Sequence, residues 1–172
     1  MSGRADMTVE FAGLRLKNPI IAASGTFGYG LEWEPVLDLN ELGGLVTKGL
    51  SRQPMPGNPA PRLAVTPSGM LNSVGLQNLG VDAFLREKLP RLATFKTAVI
   101  VNVFGFDTGD YVEVVRLLET GTGIAAYELN LSCPNTKHGG IVFGSGSRYS
   151  KRRAGKGVSS SARWALSRPA PK

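Results

Sequence analysis

The chain has 172 residues, enough for one domain with a sizeable core, and its 42% hydrophobic and 19% charged content fits a folded body. One cysteine excludes an internal disulfide, so nothing demands an oxidising compartment and the cytoplasm is expected. The N-terminus, MSGRADMTVE, lacks the apolar core of a signal peptide, and no apolar run reaches the roughly 18–20 residues of a membrane-spanning helix.

The net charge of +7 suggests nucleic acid, but its distribution argues otherwise. Residues 1–145 carry 12 Lys and Arg against 13 Asp and Glu, whereas residues 146–172 carry 8 and none. The excess therefore lies in a Ser-, Arg- and Ala-rich tail without helical or strand period. Its stacking aromatics are Tyr149 and Trp164, and it contains no recognisable nucleic-acid module.

In chain order, TVEFAGLRLK (8–17) predicts two short strands around a turn at Gly13. PIIAAS (19–24) predicts a buried strand and LEWEPVLDL (31–39) a helix. GGLVTKG (43–49) predicts a second buried strand, followed by the Pro- and Gly-rich loop SRQPMPGNPAPR (51–62). VDAFLREKLPRL (81–92) predicts a helix that Pro90 ends or kinks. TAVIVNVFG (97–105) predicts a third strand. DTGDYVEVVRLLETG (107–121) predicts a helix with an acidic first turn and a glycine stop. AAYELNLS (125–132) predicts a fourth strand. The alternation predicts βαβ units and a parallel sheet. A doubly wound sheet and a (β/α)8 barrel both remain open, although the barrel takes about 250 residues.

Polar residues gather at the ends of these strands: Ser24, Lys48, Asn102, then Asn130 and Cys133. In parallel α/β folds the C-terminal strand ends form the ligand site. Each residue has a plainer reading. Ser24 could serve the turn before GTFGYG, and Lys48 could be a solvated loop lysine. A buried Asn102 needs hydrogen-bond partners, which backbone or ligand could supply. A lone cysteine is most often a small buried hydrophobe. His138 reads as a loop residue, because no second metal ligand stands at a suitable spacing.

Three stretches, NPIIAASGTFGYG, GGLVTKGLSRQPMPGNPAPRLAVTPSGMLNSVGLQNLG and YELNLSCPNTKHGG, together closely resemble the dihydroorotate dehydrogenase catalytic subunit, in order from about residue 8 to 145. The resemblance implies an α/β fold of the (β/α)8 TIM barrel family. Here that means an incomplete barrel of about four strands, residues 1–145. The basic tail, 146–172, shows nothing of the family and is expected to be disordered or read out of frame. The family oxidises dihydroorotate to orotate in pyrimidine biosynthesis, with FMN as hydride acceptor.

Class 1 members use a cysteine as catalytic base and class 2 members a serine, so the resemblance gives Cys133 that role. NPAPRLAVTPSGMLNSVGLQN looks more like class 1B than 1A. That class pairs the FMN subunit with a partner carrying FAD and a 2Fe–2S cluster, which passes electrons to NAD+. One cysteine cannot hold such a cluster, so it would sit on the partner. Carried over by position, Ser24, Lys48, Gly49, Asn102 and Asn130 contact FMN. Lys48, Asn72, Ser73, Val74, Gly75, Leu76, Asn130 and Asn135 hold the substrate. The resemblance further implies a homodimer, with neither membrane nor nucleic acid as partner. The chain is expected to be truncated. The alternatives are a non-catalytic fragment that pairs with another chain, a pyrimidine-reducing relative, or a nucleic-acid binder acting through the tail.

Overall fold

The computed structural model describes residues 5–131 and the backbone of 164–167. A hairpin comes first, β1 (Val9–Phe11) against β2 (Leu14–Leu16), turning at Ala12 and Gly13. Strands β3 (Ile21–Ala22), β4 (Gly44–Val46), β7 (Ala98–Val103) and β8 (Ala126–Asn130) then form a parallel sheet in that order. Between β4 and β7 lies a second, exposed hairpin, β5 (Leu63–Thr66) and β6 (Gly69–Asn72). Sequence reading missed it, although LAVT and GMLN flank the two-residue break Pro67-Ser68.

The helices depart from expectation where proline intervenes. Residues 31–39 form no continuous helix: 3-10 turns occupy Leu31–Trp33 and Leu39–Glu41. Pro35 has no N–H to extend the first turn, and extended Asp38 ends it and caps the next by accepting from Asn40 N at 2.9 Å. Residues 81–92 are helical throughout, as α1 (Val81–Ala83), a π turn (Phe84–Lys88) and α2 (Leu89–Leu92). The wide turn lies immediately before Pro90, where an ordinary helix would need the missing N–H. Helix α3 (Thr108–Leu118) starts as expected: Asp107 and Asp110 form a reciprocal capping box.

Period-2 alternation divides each strand between two cores. Leu45, Val99, Val101, Val103, Tyr127 and Leu129 face the helices, against Phe84, Leu92, Tyr111, Val114 and Leu118. Val46, Ile100 and Ala126 face the other way, against Leu14 and Leu16 of the first hairpin. That hairpin therefore covers the N-terminal part of the interior face. The next interior positions, Asn102 and Glu128, stand level with each other beyond it.

Among the described residues the sheet does not close. An incomplete barrel would leave the far edge of the fourth parallel strand, β8, unpaired. Instead, β9 (Trp164–Ser167), from the basic tail, pairs with it antiparallel, with Glu128 opposite Leu166. No described helix is long and apolar enough to cross a membrane.

Candidate active site

The C-terminal strand ends gather the predicted residues on one rim. Ser24 follows β3 by two residues and is half-buried. Lys48 follows β4 by two, and its N–H donates to Gly28 O at 2.7 Å, tying the GTFGYG loop to this strand end. Asn102 is the penultimate residue of β7 and Asn130 the last of β8. The Asn130 carbonyl accepts from Tyr111 Oη at 2.5 Å, which fixes the end of β8 against α3.

Asn102 is the polar centre of the rim, only 1% exposed. Its N–H donates to Thr47 Oγ1 at 3.3 Å and its carbonyl accepts from Leu50 N at 2.9 Å. Its side-chain Nδ2 donates to Glu128 Oε1. Its Oδ1 is buried and has no hydrogen-bond partner among the described residues. A buried acceptor without a donor is costly, and such atoms cluster where a ligand completes the set. At Gly49 a Cβ would stand 2.7 Å from Asn102 Oδ1 and 3.1 Å from the Phe104 ring. Gly49 therefore packs directly against that atom, and a side chain there would force the amide or the strand end to shift.

Lys48 also lines a cleft of 550 Å³ with Tyr29, Met55, Gln77, Asn78 and Leu79. Buried Asn78 holds its floor, donating to Ser51 Oγ at 3.0 Å and Leu76 O at 2.9 Å and accepting from Gly80 N at 2.8 Å. Tyr29 Oη accepts from Leu79 N at 3.0 Å. Burial raises the Tyr29 phenol above its ordinary value, so it stays neutral.

The predicted substrate stretch Asn72–Leu76 leads directly into this lining. Its backbone is held by the 51–62 loop: Ser73 N donates to Arg62 O, Asn58 N to Val74 O, and Asn58 Nδ2 to Ser73 O at 2.7 Å. Gly75 has φ +76°, and a Cβ there would lie 2.8 Å from Asn58 N. Asn72 and Ser73 are exposed, while Val74, Gly75 and Leu76 are half-buried. Cys133, Asn135 and His138 lie outside the described residues.

Sequence reading missed Glu128, Tyr29 and Asn78. Glu128 was legible as a carboxylate within the apolar run AAYELNL, one alternation below Asn130. Burial raises its pKa above the ordinary carboxylate value, and the Asn102 amide partly offsets this. Nothing local marks Tyr29 or Asn78, whose partners lie 50 and 27 residues away.

These features define the class. Parallel strands, with helices on one face and a polar rim at their C-terminal ends, make a protein of the (β/α)-barrel kind, here as an incomplete barrel. A family model for dihydroorotate dehydrogenase matches residues 6–158, and the chain belongs to that family. A relative from Solibacter usitatus, provisionally named dihydroorotate dehydrogenase A (fumarate), is 61% identical over 137 residues, covering 80% of this chain and 45% of the relative. The catalytic subunit of dihydroorotate dehydrogenase B (NAD(+)) from Geotalea uraniireducens is 54% identical over 142 residues, covering 83% and 47%. The chain thus spans about half the length of the curated relatives it matches. The ligand-free dihydroorotate dehydrogenase of Eimeria tenella superposes with a TM-score of 0.57 at 22% identity, covering 77% of this chain and 40% of that one. This shared fold accounts for the parallel order of β3, β4, β7 and β8.

Proposed function

We propose that the chain serves the oxidation of dihydroorotate to orotate in pyrimidine biosynthesis, in the cytoplasm, with FMN at the strand-end rim. The observation that carries this reading is the buried Asn102 Oδ1, packed against Gly49 and lacking a donor among the described residues. An N–H of a planar ring would satisfy it, so the residues present fit a flavin. When bound, FMN supplies the hydride acceptor.

The chain's own residues then divide the remaining work. Ser24, Lys48, Gly49, Asn102 and Asn130 hold the cofactor. Lys48, Asn72–Leu76, Asn130 and Asn135 hold the substrate. Lys48 offers a positive charge to the anionic substrate and to charge developing on the ring beside it. Cys133 takes the C5 proton, since a thiol of ordinary pKa about 8.5 becomes a competent base once its thiolate is stabilised. Electrons pass to NAD+ through a partner subunit carrying FAD and a 2Fe–2S cluster, and the catalytic subunits pair as a homodimer. The Solibacter relative favours a second reading, in which fumarate is the acceptor.

The test is FMN titration of the 172-residue chain, followed by flavin fluorescence. Weak, saturable binding is expected, because four parallel strands line only part of a ring. Asn102→Leu should abolish it. Equal affinity in both proteins, or no binding by the wild type at millimolar FMN, would remove the basis of the proposal. Assays of the assembled enzyme with NAD+ and with fumarate separate the two acceptors.

A further inference from the structure

We propose that Glu128 is a positioning residue: its carboxylate fixes the Asn102 amide with Nδ2 turned to β8 and the acceptor Oδ1 turned to Gly49 at the strand end. The inference rests on the flavin reading above only for the identity of the ring that Oδ1 meets.

The parallel register places Glu128 directly beside Asn102 on the interior face. Nδ2 donates to Glu128 Oε1, and Oδ1 is the atom left over. An ionised carboxylate only accepts, so it can engage only the NH2 end of an amide. A glutamine in its place could donate or accept, and the amide could then sit either way round. A leucine would fill the position without the cost of burying a charge. Packing therefore does not account for a carboxylate here, whereas orientation does.

The surroundings leave Glu128 no competing charge among the described residues. Along the same face β7 offers Ala98, Ile100 and Asn102, and β4 offers Gly44 and Val46, with Lys48 beyond its end. β8 itself adds Ala126 and Asn130, and the first hairpin adds Leu14 and Leu16. Its carboxylate accepts from the Asn102 amide.

Two measurements on the full 172-residue chain test this. The first follows the Asn102 side-chain 15N–1H signals through a pH titration without cofactor. They should shift in a single step with Glu128 ionisation and stay flat in Glu128→Gln. Signals that ignore pH in the wild type, or shift equally in the variant, overturn the proposal. The second measures FMN affinity at neutral pH. Glu128→Leu should weaken it about tenfold, the factor for ~1.4 kcal/mol. Glu128→Gln, which admits both orientations of the amide, should bind more weakly than the wild type and more tightly than Glu128→Leu. Unchanged affinity in Glu128→Leu also overturns the proposal. If the wild type binds no FMN while the Asn102 signals follow Glu128, the flavin reading falls and the positioning role stands.

Discussion

Gly49 and Glu128 show how much of this site rests on single atoms. Gly49→Ala would drive a Cβ to 2.7 Å from Asn102 Oδ1, so either the amide or the strand end must move. Overpacking of this kind costs about 1–3 kcal/mol. A urea melt should show that loss, and flavin titration should show a further loss of FMN affinity. Glu128 predicts an effect of the opposite sign. Burial raises its pKa in the fold, so between the ordinary carboxylate value and the raised one the native state holds more proton than the unfolded chain. Stability therefore falls as pH rises through that window and is regained on acidification towards 4.5. Glu128→Gln should flatten this slope and unfold at an equal or higher urea concentration at neutral pH. A steeper slope in the variant would show that another group sets it. A residue that costs stability at working pH yet orients a buried amide is expected at a functional site.

At the scale of elements, short strands position the rim and long-range hydrogen bonds hold its loops. Tyr29 links the loop after β3 to the segment before α1 through Leu79 N. Tyr29→Phe keeps the ring and removes the acceptor, at a cost of about 1 kcal/mol. Faster hydrogen exchange at Leu79, with the Asp107-capped helix unaffected, would place the change in the cleft. Arg52 performs a similar task at the surface, bridging to Asp82 on α1 and Glu113 on α3, both at 2.8 Å. Proline decided the helices. Pro35 broke the expected helix into turns, while Pro90 was absorbed because a π turn precedes it and α2 begins beside it.

At the scale of the whole molecule, the far edge of β8 matters most. An uncovered strand edge invites pairing with another chain. Here β9 covers it, running opposite to its neighbours. Ala165→Pro removes a backbone donor from β9, and proline is poorly tolerated in paired strands. The variant should self-associate with rising concentration in light scattering while the wild type does not. Equal behaviour would show that β9 does not guard this edge.

The sequence by itself determined the four parallel strands in chain order, the helices at 81–92 and 107–121, and the strand-end placement of Ser24, Lys48, Asn102 and Asn130, because these depend on period and neighbouring residues. Family membership was legible for the same reason: motifs are contiguous runs. The tertiary structure alone decided that Gly49 packs against the Asn102 oxygen, that Glu128 takes the other end of that amide, that Tyr29 and Asn78 hold the cleft, and that a tail strand covers β8. Those facts depend on strand register and loop closure, which join residues dozens of positions apart that no local pattern connects.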